Sequence, residues 1–384
     1  MRFEFATAGR IIFGWGTSED FGSIAGELGR RALVVRGSSP DRIKPLLAML
    51  EAAKTEHHSF EVRGEPTVAQ IVDGVNQARE AGSDLVIGIG GGSVIDSAKA
   101  IAALVTNPGA ILDYLEIIGK GKQLSVPALP CVAIPTTAGT GAEVTRNSVL
   151  ASPEHRVKVS LRSQFLLPRL AVVDPKLTCH LPPSVTASTG LDALTQVIEP
   201  YVSVRANPIT DGFCKEGMRR IARSLGTAYE QSHHLAARED MALASLLGGL
   251  SLANAGLGAV HGFAAPIGGM FHAPHGAICA ALLPHVMRVN LGALRERLPN
   301  SDSLPRYDSV AKILTGSDKA MALDGVNWVS ELCKKVGIPG LQAYGLTADD
   351  SVALVEKAVK ASSMKANPVV LSEDELTQIF QAAL

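Results

Sequence analysis

The chain changes character at Leu181-Pro182-Pro183-Ser184, and this change constrains the fold more than any other feature. Before it, short apolar runs alternate with helical patterns. Residues 32–35, 85–89, 132–134 and 170–173 read as strands, and residues near 41–54 and 67–81 as helices. Strands alternating with helices imply a parallel sheet covered on both faces. After the Pro-Pro pair, β-branched runs almost vanish. Amphipathic patterns follow near 184–201, 207–230, 236–256, 258–270, 275–290, 308–314, 322–336, 348–362 and 372–383. The expected organisation is an α/β domain with a Rossmann-like parallel sheet over 1–182 and an all-α domain over 183–384.

Bulk properties narrow the function. The 384 residues are 46% hydrophobic and 19% charged, enough to bury a core in each of two domains. A formal net charge of −1 gives no reason to expect nucleic acid or an anionic membrane surface as partner. Cys131, Cys179, Cys214, Cys279 and Cys333 are scattered and never form a CxxC pair. They read as reduced thiols, neither a disulfide framework nor a thiolate zinc site. The N-terminus shows no signal-peptide h-region, and no apolar run reaches the roughly 20 residues that span a bilayer. A cytoplasmic protein with no membrane partner is expected.

Two loops follow strands of the expected sheet. Gly90-Gly91-Gly92-Ser93 comes directly after the run ending at Ile89 and opens a helical pattern through Asp96 and Lys99. Glycines there allow a tight turn and close approach of backbone to a phosphate, and a helix N-terminus adds partial positive charge. Ser93 is expected to cap that helix and donate to a phosphate oxygen. The spacing differs from GxGxxG, and a ligand-free β-to-α turn is the competing reading. Pro135-Thr136-Thr137-Ala138-Gly139-Thr140-Gly141-Ala142-Glu143-Val144-Thr145 follows the next strand and supplies four hydroxyls. A third loop, Arg36-Gly37-Ser38-Ser39, holds no acid for an adenosine 2′-hydroxyl, whereas Arg36, Ser38 and Ser39 suit a 2′-phosphate. This favours NADP(H) over NAD(H).

Farther on, Asp192 and Gln196 are four apart and share one face of a helix. His261 and His275 lie in Gly- and Ala-rich sequence where an unpaired imidazole is costly to bury, and Pro274 sets up a helix start at His275. A carboxylate, an amide oxygen and two imidazoles suit a divalent transition metal. His57-His58 and His233-His234 read as surface residues.

These pieces resemble the iron-dependent (group III) alcohol dehydrogenase family. The matching segments are Gly90-Gly91-Gly92-Ser93 with Asp96 and Lys99, the Thr-rich segment from Pro135 to Thr145, Asp192-Ala193-Leu194, His261-Gly262, Pro274-His275-Gly276 and Asn367-Pro368, in family order over nearly the whole chain. The resemblance implies a dehydroquinate synthase-like architecture. It implies metal ligands at Asp192, Gln196, His261 and His275, with Fe²⁺ preferred and Zn²⁺ the alternative. It places nucleotide contacts at Gly91, Gly92, Ser93, Thr136, Thr137, Thr145 and Lys158, to which the loops add Gly37, Ser38, Ser39, Asp96 and Thr140. The implied reaction is metal-dependent, NAD(P)-linked hydride transfer between a nicotinamide and a small alcohol, aldehyde or ketone. A homodimer is the implied assembly.

Two positions depart from the family pattern. Gln196 stands where the family usually has His, and a neutral amide oxygen is a weaker donor. Ala265 stands where many members carry a His beside the nicotinamide, which leaves His272 as a candidate relay or ligand. Phe263 and Phe271 are candidate walls of a substrate pocket. Competing readings are a maleylacetate-type oxo-acid reductase using Arg146 and Arg162, a lyase of the dehydroquinate synthase type, and a catalytically silent nucleotide-binding oligomer.

Overall fold

The structure, a computed structural model, describes residues 2–384. Contacts divide these into two compact units. One comprises residues 6–137 and 141–179; the other comprises residues 2–5, 138–140 and 180–384.

The first unit is built on β1 (Ile11–Phe13), α1 (Phe21–Leu28), β2 (Arg31–Arg36), α2 (Lys44–Ala52), β3 (Glu56–Glu61), α3 (Val68–Glu80), β4 (Leu85–Gly90), α4 (Gly92–Thr106), the single turn α5 (Ile111–Tyr114), β5 (Cys131–Pro135), β6 (Asn147–Ser152), β7 (Val157–Arg162) and β8 (Leu170–Val173). Six strands form one parallel sheet in the order β1-β8-β5-β4-β2-β3. Side chains on a strand alternate between faces, and the core divides accordingly. Leu33, Val35 and Val86 pack on one face with Ile71, Val75, Ala98 and Ile101 of α3 and α4. Ala32, Val34 and Ile87 pack on the other with Phe21, Leu46 and Leu50 of α1 and α2. Burial on both faces is why β2, β4, β5 and β8 are continuous apolar runs. The edge strand β3, Glu-His-His-Ser-Phe-Glu, lacks that signature. There His58 departs from its surface reading, because its Nε2 is buried with no hydrogen-bond partner.

Gly88 lets β4 approach α4 closely; a Cβ there would come within 2.7 Å of the Ala98 Cβ. β6 and β7 form a separate antiparallel hairpin. It is tied to α4 by Asp96, whose Oδ2 accepts from Val149 N at 3.0 Å, and by Lys99, whose Nζ donates to the Asn147 carbonyl.

The second unit is entirely helical beyond residue 180: α6 (Pro183–Val202), α7 (Pro208–Glu230), α8 (Leu235–Ala255), α9 (Ala259–Met270), α10 (His275–Arg297), α11 (Ser303–Thr315), α12 (Ala322–Lys335), α13 (Ser351–Val359) and α14 (Glu373–Ala382). α6 is buried along most of its length and is the axis of the core, packed by α7, α8 and α10. α10 has the length and mean composition of a membrane-crossing helix, although His285, Arg288 and Asn290 interrupt it and it is no continuous apolar run. Its apolar character has a local cause: most of the helix is buried inside the unit's own core. His234, read as surface, caps α8 by accepting from Ala237 N at 3.2 Å through Nδ1.

Candidate active site

Helix α6 carries Asp192, Gln196 and Glu199, a spacing that puts all three on one face. Two further helices bring imidazoles to that face. His261 lies in the first turn of α9, and His275 is the first residue of α10, behind Pro274. Gly276 permits the approach of α10, since a Cβ there would sit 2.5 Å from the Ser188 carbonyl oxygen of α6.

The first turn of α9 has no side-chain cap on Gly258. Its free N–H groups are satisfied from elsewhere: Ala259 N donates to Asn367 Oδ1 at 3.1 Å and Val260 N to Glu199 Oε1 at 2.7 Å. The other oxygen of Glu199 lies 2.7 Å from His261 Nδ1. One carboxylate thus caps the helix and fixes the ring, leaving Nε2 to face Asp192.

Four donor atoms then converge. Asp192 Oδ1 lies 3.6 Å from His261 Nε2 and 3.7 Å from His275 Nε2. Cys279 Sγ, one turn along α10 from His275, lies 3.9 Å from His261 Nε2 and 3.7 Å from His275 Nε2. Asp192, His261, His275 and Cys279 are the metal-competent group found among the described residues. These separations are too long for N···O hydrogen bonds. They are close to the donor–donor spacing of about 3.3–3.6 Å that four ligands take around one tetrahedral ion with bonds of about 2.0–2.3 Å.

Two buried oxygens on this face of α6, Asp192 Oδ1 and Gln196 Oε1, have no hydrogen-bond partner. Orphaned buried acceptors are costly, and a cation would satisfy them. Gln196 donates through Nε2 to the Gly139 carbonyl at 3.0 Å, which fixes the amide orientation because a carbonyl can only accept. The electrostatics agree. Burial opposes charge on both imidazoles, but Cys279 and the carboxylates outweigh it, and His261 is held well above its usual pKa and His275 above it too. Burial likewise opposes the Asp192 carboxylate, yet the two imidazoles and the Gln196 amide hold its pKa down. The cluster therefore favours positive charge at its centre.

Cys279 and Glu199 are the residues the sequence reading missed. His275 and Cys279 stand four apart on a helix, a spacing as informative as that of Asp192 and Gln196, and the thiol belongs to the cluster instead of being a detached reduced cysteine. His272 is exposed in the loop between α9 and α10 and is not one of the four clustered donors. Phe263 is fully buried in the helical core, so it does not wall a pocket, whereas Phe271 is only partly covered.

In the α/β unit, the three loops singled out from the sequence emerge from the carboxyl ends of adjacent strands β2, β4 and β5, aligned by the pairs Arg36↔Ile89 and Gly90↔Pro135. That edge is where open parallel sheets bind ligands. Gly91, and not Ser93, is the N-cap of α4; Ser93 sits inside the first turn. The Gly-rich turn gives the helix its start without a capping side chain. Thr136 N donates to the Gly90 carbonyl at 2.9 Å, holding the β5 loop beside the glycine turn. Gly37, Ser38 and Ser39 follow β2, the two serines exposed.

Several other expected contact residues have structural partners. Asp96 pairs with Lys99 at 2.8 Å, and Lys158 of β7 pairs with Glu65 at 3.0 Å. The fully buried Lys99 ammonium also donates to the Ala142 carbonyl at 2.9 Å and to Thr145 Oγ1 at 3.0 Å, fixing the loop that carries Thr140 and Thr145. Burial lifts the Glu143 carboxyl in that loop to about 7. Arg36 is not free either: its guanidinium lies 3.3 Å from Glu61 at the end of β3 and donates to the Gly37 carbonyl. Arg162, a candidate anion-holder, pairs with Glu116 at 3.2 Å.

A chain that keeps an ion-binding donor set on buried helices and a phosphate-type turn on a parallel sheet falls in the class of metal-dependent, nicotinamide-linked dehydrogenases. Comparison with known proteins makes this specific. Residues 8–175 match the family described as iron-containing alcohol dehydrogenase, and residues 186–384 match the C-terminal region of the Fe-containing alcohol dehydrogenase family. Alcohol dehydrogenase 4 of Schizosaccharomyces pombe is 37% identical over 345 residues, covering 90% of this chain and 78% of that protein. The 1,3-propanediol dehydrogenase of Klebsiella pneumoniae is 36% identical over 363 residues, covering 92% of each. A crystal structure of a 1,3-propanediol oxidoreductase superposes with a TM-score of 0.92 at 33% identity over 100% of both chains. The chain belongs to the iron-containing alcohol dehydrogenase family and is an oxidoreductase acting on alcohols, with the dehydroquinate synthase-like fold of that family.

Proposed function

We propose that the chain interconverts a small primary alcohol and its aldehyde, with Asp192, His261 and His275 as metal ligands and the β4–α4 turn as the pyrophosphate site. The observation that carries the reading is the convergence of the orphaned Asp192 Oδ1 with two Nε2 atoms at 3.6 and 3.7 Å. When bound, a divalent ion supplies Lewis acidity at the alcohol or carbonyl oxygen.

The residues divide the remaining work. Asp192 supplies negative charge that balances the cation. Glu199 holds His261 in the tautomer that presents Nε2 inward. Gly91 and Gly92 let backbone N–H groups at the start of α4 approach the pyrophosphate, with Ser93, Thr136, Thr137 and Thr145 as further contacts. A nicotinamide held there would supply the acceptor for the hydride that the carbinol carbon gives up as the hydroxyl proton leaves to solvent. Ala265 leaves no imidazole to relay that proton, and His272 at the surface is the candidate replacement.

Glu61 weighs against the preference for NADP(H) read from Arg36-Gly37-Ser38-Ser39. It occupies the guanidinium expected to hold a 2′-phosphate and would repel that phosphate. NAD(H) is the cofactor this arrangement supports. An oxo-acid reductase needs a cation free for a carboxylate, and the pairing of Arg162 with Glu116 counts against that reading. A cytoplasmic homodimer completes the proposal.

The test is metal analysis of the purified protein followed by NADH and NADPH oxidation against aldehyde and oxo-acid panels. Turnover of aldehydes with a stoichiometric divalent metal is expected. Metal-free protein with no turnover would favour a silent nucleotide-binding protein.

A further inference from the structure

We propose that Cys279 is the fourth protein ligand of this metal site, taking the place of the imidazole that Gln196 does not provide, and that the resulting Asp/His/His/Cys set prefers Zn²⁺ over Fe²⁺. The inference rests on the metal-site reading above and deepens it.

The geometry points to sulfur. Cys279 Sγ is 3.9 and 3.7 Å from the two imidazole Nε2 atoms, and those atoms are 3.6 and 3.7 Å from Asp192 Oδ1. For a tetrahedral ion with a metal–sulfur bond of about 2.3 Å and metal–nitrogen bonds of about 2.0–2.1 Å, the S···N edge is about 3.5 Å. Small side-chain movements would close the set. The helix makes it possible: His275 and Cys279 are one turn apart on α10, so both point toward α6 together.

A second, independent observation fits a cation at this centre. Asp192 is 1% exposed and Gln196 2%, yet Asp192 Oδ1 and Gln196 Oε1 have no hydrogen-bond partner. Cys279 is itself fully buried, and the contacts of its sulfur are the two imidazoles of the cluster.

Donor chemistry separates the two contenders for the fourth position. The Gln196 amide is neutral and hard, and its nitrogen is anchored to the Gly139 carbonyl. A thiolate is anionic and soft, binds a borderline ion more strongly, and selects Zn²⁺ over Fe²⁺. On binding, the Cys279 thiol gives up its proton to solvent as the sulfur–metal bond forms. The site charge then falls by one relative to an Asp/His₃ set.

Cobalt reports on the sulfur directly. Apo-protein is loaded with Co²⁺, which stands in for Zn²⁺; bound cobalt is measured by elemental analysis and the near-ultraviolet absorption is recorded. The expected result is one cobalt per chain with a thiolate-to-cobalt charge-transfer band in the natural protein and in Gln196→Ala. The band should be lost in both Cys279→Ser and Cys279→Ala, with chelator competition showing Zn²⁺ affinity down by at least about tenfold. Retained helical circular dichroism and cooperative unfolding, together with NADH binding, show that both units of these variants fold. Stoichiometric cobalt without the band in the natural protein, or a band that survives in Cys279→Ser, would overturn the assignment while leaving the metal site intact. Failure of the natural protein to bind cobalt at all would overturn both.

Discussion

Glu199 and His261 are joined at 2.7 Å, and the same carboxylate caps the helix on which that histidine stands. Entry of α9 and orientation of the proposed metal ligand His261 are therefore one event. Replacing Glu199 with Gln keeps a cap acceptor but removes the charge behind the imidazole. Metal affinity should fall about 10–100-fold, as for other carboxylate–histidine pairs behind a metal, while NADH binding stays unchanged. Chelator competition and a nucleotide fluorescence titration measure the two quantities separately.

Gln196→His restores the donor usual in the family. A third imidazole raises the iron affinity of the site, and iron retained after dialysis against a chelator should rise by about tenfold or more. Unchanged iron retention would mean that position 196 does not face the ion.

The buried Glu143 carries a pH signature. Its folded pKa is about 7, against an ordinary value of 4.5, because burial disfavours the carboxylate. Between those values the folded chain holds a proton that the unfolded chain has released. This group's contribution to stability is therefore full at low pH, declines as pH rises from about 4.5 to 7, and is flat above. At about 1.4 kcal/mol per unit the loss amounts to roughly 3 kcal/mol. Glu143→Gln should match the parent in urea unfolding at pH 4.5 and exceed it by up to about that amount at pH 8.

Lys99 is the opposite case, a buried charge whose partners are Asp96, the Ala142 and Asn147 carbonyls and Thr145 Oγ1. Lys99→Met leaves Asp96 without its cation and frees the 142–147 loop. Destabilisation of about 3–5 kcal/mol is expected in denaturant unfolding, with weaker nucleotide binding.

The residues themselves explain what the sequence made legible. β2, β4, β5 and β8 lie inside the sheet, buried on both faces, and are readable as apolar runs. β3 is an edge strand whose hydrophobic content is Phe60 alone, and its pairing with β2 is set by tertiary contact. The C-terminal helices stood out in two ways: α7 and α12 bury a periodic stripe, whereas α6, α8, α9 and α10 are apolar and buried on most sides. Asp192, His261 and His275 could be found as unusual polar residues in apolar sequence. Cys279 could not be found by looking for paired cysteines, since its partners are two histidines. Glu199 emerges only once α6 is set against α9. The Arg36–Glu61 pair depends on β2 and β3 being neighbours, so the cofactor preference read from one loop lacked the acid contributed by the next strand.

That pair gives a cofactor prediction. Glu61→Gln releases Arg36 from its carboxylate and removes a charge that repels a 2′-phosphate. The ratio of kcat/KM for NADPH to that for NADH should rise by about tenfold, measured with one aldehyde at saturation. A ratio that does not move would place the ribose away from Arg36.

The division of labour between the two units is tested most directly by Asp192→Ala, with bound metal, turnover and NADH affinity measured on the same preparation. The expected result is loss of metal and of turnover with NADH affinity within about twofold of the parent, a change of under ~0.5 kcal/mol. Turnover that survives without metal, or NADH binding that collapses along with the metal, would contradict it.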